Sequence, residues 1–151
     1  MKNIYETIEE REYLKNISQI IEKAEKKEFL EKEQGITLFC PNDSAFGTYT
    51  SFSRYGLDEA LYEINPIGKI EDILETKETA LETLNNHLIP KKISTEELKK
   101  LEIIATINKR DLPIVLSFEE VMVGNASIII PDIECSNGYI HVINIVLMPS
   151  Y

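Results

Sequence analysis

His87 and His141 are the only imidazoles in this chain, and Cys40 and Cys135 are the only thiols. With the carboxylates, these are the groups that could bind a metal, move a proton or attack a substrate. Their spacing argues against all three. No HExxH pattern or paired Cys/His spacing gathers ligands for a transition metal. Neither cysteine has a CxxC neighbour or a nearby histidine to lower its pKa for nucleophilic or redox work. A GxSxG elbow, a Walker lysine and a GxGxxG after a strand are all missing. Glu9, Glu10 and Glu12, and again Glu96 and Glu97, bring carboxylates together, but on helical faces such runs are solvated surface. The residues therefore predict no catalytic set, no cofactor and no resident metal. Both histidines are expected to be structural. A bridge between the thiols would need their α-carbons within about 7 Å; two free, buried thiols acting as small hydrophobes are the expectation.

Charge narrows the partners. Sixteen basic residues stand against 26 acidic ones, a formal net of −10. Such a surface repels phosphate backbones and anionic lipid, so nucleic acid and membrane surfaces are not expected partners. Cationic groups or divalent ions would suit it, and it also keeps a protein soluble. The 151 residues, 43% of them apolar, suit one domain over 1–151 that buries roughly 70% of the surface of its unfolded chain. No stretch approaches the roughly 20 apolar residues of a membrane helix, so no direct insertion is expected. Met1 to Glu10 has neither an apolar core nor a small-residue cleavage site and is not a signal peptide. The expectation is a protein that stays inside the cell, or a sequence that begins after a removed export signal or tether.

The elements that would position these groups follow from hydrophobic period. Tyr13, Leu14, Ile17, Ile20, Ile21 and Ala24 repeat at three-and-four spacing, predicting an amphipathic helix. Ile4, Tyr5 and Ile8 mark a shorter turn before it, and Phe29 and Leu30 another after it. Gly35 stops the helices, and Ile36 to Cys40 predicts a buried strand that Pro41 ends. Asn42 or Asp43 is expected to cap the segment opening toward Phe46. Helical patterns run over 57–64, 67–74 and 79–88. The segment around Tyr49, Phe52 and Tyr55 reads as a loop that either forms a contact surface or folds back onto the helices. Ser94 with Glu97 makes a capping box. Strands are predicted over 103–107, 112–118, 121–123, 127–130 and 139–147, with turns at Gly124-Asn125 and Asn137-Gly138. Gly138 is expected to supply a positive φ there. Helices first and strands last predict an α+β domain with a mainly antiparallel sheet.

Two ordered blocks stand out: Thr37-Leu38-Phe39-Cys40-Pro41-Asn42-Asp43-Ser44-Ala45-Phe46, and Cys135-Ser136-Asn137-Gly138-Tyr139-Ile140-His141-Val142-Ile143-Asn144-Ile145-Val146-Leu147-Met148-Pro149. They resemble the two signature boxes of the fasciclin domain family. Thr37, Phe39, Pro41, Asp43, Ala45 and Phe46 match the first box, with Cys40 and Asn42 in place of the usual Ala and Thr. Ser136, Asn137, Gly138, Ile140, His141, Ile143, Val146, Leu147 and Pro149 match the second, with Asn144 in place of the common Asp. The family's central Tyr-His pair is half kept: His87 is present and Asn86 replaces the tyrosine. The resemblance implies a β-rich wedge flanked by several helices. It also implies a non-enzymatic module of adhesion or surface attachment, outside the cell or on its surface, contacting a surface or matrix protein or a glycan. The alternative is an intracellular or periplasmic binding module for a small ligand or a protein. Thr37, Phe39, Pro41, Asp43, Phe46, His87, Asn137, Gly138, His141 and Pro149 are implied to be scaffold. Asp132-Ile133 lies where animal fasciclin domains carry an Asp-Ile dipeptide assigned to integrin recognition, which makes these two residues the candidate partner contact. The other reading of them is an Asp that caps a turn and an Ile that packs inward.

Overall fold

The computed structural model describes residues 1–46, 69–118 and 120–147. Tyr49, Phe52, Tyr55, Pro149 and the helical pattern over 57–64 lie outside the described residues. The chain opens with helix α1 (Ile4–Glu9), a 3₁₀ turn at Glu12–Leu14, α2 (Lys15–Lys23) and α3 (Lys27–Lys32). Asn3 begins α1 with a reciprocal cap: its side chain accepts from the Glu6 N–H at 2.8 Å, and the Glu6 carboxylate accepts from the Asn3 N–H at 3.1 Å. Gly35, at φ +72°, turns the chain into strand β1 (Ile36–Pro41). Helices α4 (Ile70–Ile73) and α5 (Lys77–Asn85) follow, then β2 (Leu88–Ile89) and α6 (Thr95–Leu98). The rest is strand: β3 (Ile103–Ala105), β4 (Asp111–Ser117), β5 (Glu120–Val123), β6 (Ala126–Cys135) and β7 (Gly138–Ile143).

The seven strands among the described residues lie in the order β2-β1-β7-β6-β5-β4-β3. Every neighbouring pair is antiparallel except β1 and β7, which run parallel with Phe39 opposite His141. This is the expected α+β wedge, mainly antiparallel and flanked by helices. Side chains alternate across a strand, so β1 serves two cores. Ile36, Leu38 and Cys40 join Ile140 and Val142 of β7 under α1, α2, α3 and α5. Phe39 and Ile143 face the other way, into a cluster with Ile89, Ile93, Leu98, Val121, Val123 and Leu147. Both faces of the central pair are thus covered, as the apolar run of the last box requires.

Four local expectations are corrected. Tyr13 is 39% exposed, because the 3₁₀ turn before α2 rotates it off the buried face. The pattern over 79–88 does not stay helical to its end: α5 stops at Asn85 and Leu88 begins β2, where it pairs with Leu38. Asn42 makes no cap bond to the turn that follows it. Gly138 has no positive φ, and neither has Ser136 nor Asn137. Cys135 pairs with Gly138, so Ser136-Asn137 is the hairpin loop and Gly138 is already strand. Its small size matters instead: a Cβ there would sit 1.8 Å from the Ile36 carbonyl oxygen.

Candidate functional site

The two signature boxes meet in the central strand pair, where their polar side chains form one connected chain of hydrogen bonds. On β1, the Thr37 hydroxyl donates to the Lys91 carbonyl at 2.7 Å and accepts from the Ile93 N–H at 2.9 Å. The Ile93 carbonyl in turn accepts from His141 Nε2 at 2.8 Å. His141 Nδ1 accepts from the Asp132 N–H at 2.9 Å. The Asp132 carboxylate accepts from the Thr95 N–H at 2.9 Å and from the Thr95 hydroxyl at 2.5 Å, holding the first turn of α6. Asp132 reaches this place because β6 bulges between Ile130 and Ile133. Its φ of +56° is one that aspartate tolerates better than most residues.

Because Nδ1 accepts from a backbone N–H, the proton of His141 sits on Nε2 and the ring is neutral. The 3.9 Å approach of the Asp132 carboxylate to Nδ1 is therefore not an ion pair. Burial lowers the pKa of His141, against the smaller upward pull of the Ile93 carbonyl and of Asp132. Its ring lies 5.9 Å from that of Phe39 and is stacked at 5.8 Å on Tyr139, centroid to centroid.

His87 sits at the end of α5. Its Nδ1 donates to the Thr83 carbonyl at 2.7 Å, and its Nε2 accepts from the Leu147 N–H at 2.9 Å. Burial pushes its pKa down to about 4. Its own carbonyl accepts from the Phe39 N–H at 2.9 Å. Phe39 is thus bonded to one histidine and packed on the other.

Asn137 occupies the loop between β6 and β7 and spends its whole side chain on backbone. Its oxygen accepts from the Ile4 N–H at 3.0 Å, and its amide donates to the carbonyls of Leu30 at 2.8 Å and Glu33 at 3.0 Å. Its carbonyl takes the N–H groups of Gly35 and Ile36. Asp43 also bonds a distant backbone group: its carboxylate accepts from the Asn16 N–H at 2.7 Å, at the start of α2. Phe46 and Ile133 pack against the helical core, and Pro41 is the last residue of β1, opposite Ile143. Cys40 and Cys135 are both free and buried. Desolvation raises the pKa of each, and the Cys135 thiol donates to the Thr7 hydroxyl at 3.5 Å. Among the described residues, no group of three or more His, Cys, Asp or Glu side chains is placed to hold a metal ion.

The family model of the Fasciclin domain matches residues 12–149. The chain belongs to the fasciclin domain family. Protein sll1483 of Synechocystis sp. is 28% identical over 131 residues, covering 85% of this chain and 63% of that protein. Uncharacterized protein sll1735 of the same organism is 28% identical over 149 residues, covering 98% of this chain and 99% of that one. The fold is similar to that of a FAS1 domain pair from the insect cell adhesion molecule Fasciclin I, with a TM-score of 0.71 and 17% identity over 98% of this chain. The chain spans 51% of that structure and 63% of the first relative.

In this fasciclin domain the boxes bring Thr37, Phe39, His87, Asn137 and His141 together around β1 and β7. Asp132 and Ile133 lie one strand away, on β6. The Asp132 side chain is 40% exposed. Sequence reasoning missed Thr95, whose bond to Asp132 joins residues far apart in sequence, and it missed Asn86 as part of a cavity. No helix among the described residues is long and apolar enough to cross a membrane.

Proposed function

We propose that this fasciclin domain is a non-enzymatic module of adhesion or surface attachment. It spans residues 1–151 as one unit and works outside the cell or at its surface, through protein–protein or protein–glycan contacts with a surface or matrix partner. One observation carries the reading toward a protein partner. On a chain of net charge −10, the strand-rich end leaves Ile103, Val115, Leu116, Phe118, Ile129 and Ile130 between 38% and 103% exposed. Val115 and Leu116 are neighbours on β4 and point to opposite faces, so this end offers exposed apolar side chains on both sides of the sheet, the kind of surface a protein partner would cover. The histidines and Asn137, by contrast, spend their hydrogen bonds on the chain's own backbone, which favours a scaffold role for the signature residues over a chemical one.

The finer proposal is that Asp132 takes part in the contact together with the part of Ile133 that its packing on the helical core leaves uncovered. Both Asp132 oxygens already accept from Thr95, so a metal-bridged contact would draw on their remaining lone pairs. Cell fractionation of the native organism, followed by attachment assays, tests the reading. Surface or medium location supports it, with attachment lost in Val115→Lys or Asp132→Asn at unchanged thermal midpoint. Asp132→Asn keeps an acceptor for Thr95. Location only in the cytoplasm would overturn it in favour of an internal binding module.

A further inference from the structure

Asn86, the cap residue at the end of α5, is 2% exposed, yet its amide nitrogen has no hydrogen-bond partner among the described residues. That amide stands at the end of a run of hydrogen bonds. The Arg110 N–H donates to the Thr106 hydroxyl at 3.1 Å. That hydroxyl donates to the oxygen of Asn108. The Asn108 amide then donates to the oxygen of Asn86 at 2.6 Å. Run in this direction, the relay leaves both Asn86 Nδ2 protons without a partner among the described residues. Flipping Asn86 alone would set its amide against that of Asn108. A buried donor without a partner is costly, and in native proteins it calls for an explanation.

The space beside it offers one. Asn86 lines a cavity of about 280 Å³ whose walls are Leu112, Pro113, Gly124 and Leu147, with Arg110, Asp111 and Asn125 also lining it. That volume is close to the lower end of ordinary small-molecule sites, roughly 300–1,000 Å³, which are likewise mainly apolar with few polar groups. The walls are held in place. The Leu147 N–H is fixed by His87, and the Gly124 N–H donates to the Pro113 carbonyl at 2.8 Å. A Cβ on Gly124 would press on Leu147 at 3.3 Å and meet Leu112 at 3.8 Å, so glycine keeps this part of the wall open.

We propose that this cavity is a binding site for a small molecule with an apolar body and one neutral carbonyl oxygen, which takes the Asn86 Nδ2 protons. Arg110 and Asp111 bring one charge of each sign to the lining. With the chain's net charge of −10, this favours an uncharged carbonyl over a carboxylate. The site is separate from the proposed adhesive surface and stands whether or not that reading does.

Benzamide, benzoate and toluene titrated into the full ¹⁵N-labelled chain test it by amide NMR. The expected result is a saturable shift of the Asn86 side-chain NH₂ pair and the Gly124 amide with benzamide. Toluene, which lacks the acceptor, should bind about tenfold more weakly, the worth of one hydrogen bond. Leu112→Phe, which fills the cavity without touching the relay, should abolish the shifts. Asn86→Asp should weaken benzamide by at least about tenfold, and should that variant fail to fold, the wild-type and Leu112→Phe titrations still decide. An Asn86 amide pair that never moves, or that moves equally in Leu112→Phe, would overturn the site. Tighter binding of benzoate than of benzamide would overturn the neutral-carbonyl assignment.

Discussion

His87 and His141 perform the same task as opposite tautomers. Each neutral ring joins one backbone N–H to one backbone carbonyl, His87 with its proton on Nδ1 and His141 with its proton on Nε2. Imidazole is suited to this because its two nitrogens, about opposite one another, can be donor and acceptor at once. Between them the rings tie α5 to the segment after β7, and β7 to β6 and the Ile93 loop. Protonating either ring would turn an acceptor into a second donor facing a backbone N–H.

Stability is therefore expected to fall on mild acidification. The native pKa of His87 is lowered to about 4 from 6.5, and that of His141 is lowered as well. Above pH 6.5 both states are neutral and the stability is fully present. From 6.5 down to about 4 the unfolded chain takes up a proton that the native state refuses, which costs on the order of 3 kcal/mol from His87 alone and levels off below that. Urea midpoints at pH 7 and 4.5 measure this. His87→Gln should lower the midpoint at pH 7 and shrink the difference between the two.

His141→Ala is expected to cost about 1–3 kcal/mol through the unpaired Asp132 N–H and Ile93 carbonyl. The urea midpoint should drop with an unchanged m-value. An attachment defect at full stability would contradict a scaffold role.

Gly138→Ala should be among the most damaging single changes. Its Cβ would overlap the Ile36 carbonyl oxygen at 1.8 Å, and that backbone belongs to the parallel pair on which both cores rest. A loss above about 4 kcal/mol is expected, visible as insoluble expression or a collapsed thermal midpoint.

Asp43→Ala should cost about 1 kcal/mol by leaving the Asn16 N–H at the start of α2 unpaired, and Asp43→Asn much less. Thermal midpoints of the pair separate the lost cap from any effect of charge.

Neither thiol should react with an aromatic disulfide reagent in the native protein, since both are buried and held neutral by raised pKa values. Two equivalents should react in urea. Fast native labelling would show that the helical core opens.

What sequence could show was set by distance along the chain. The Ser94–Glu97 box and the apolar faces of α2 and β7 were legible, because partners three or four residues apart, or a period of two or 3.6, carry the signal. The bonds from Asp43 to Asn16 and from Asp132 to Thr95 were not, because 27 and 37 residues separate the partners. A capping residue with a remote helix to cap looks the same on paper as one with its own. Gly138 was found for the wrong reason: an Asn-Gly pair suggests a turn, whereas the constraint comes from β1 passing alongside. The free end of the Asn86 relay depends on three side chains meeting, and no local pattern encodes that.

The parallel pairing of β1 with β7 also bears on how the protein is made. The strand at 36–41 gains its central neighbour only when residues 138–143 arrive, and Ile4 waits for Asn137 across 133 positions. A chain emerging from the ribosome thus carries its helices and first strand with no completed sheet to rest on, until residue 143 has been synthesised. Contacts of such long separation form slowly and leave apolar surface open in the meantime. The nascent chain is expected to depend on chaperone cover during synthesis, far more than its ordinary size would suggest.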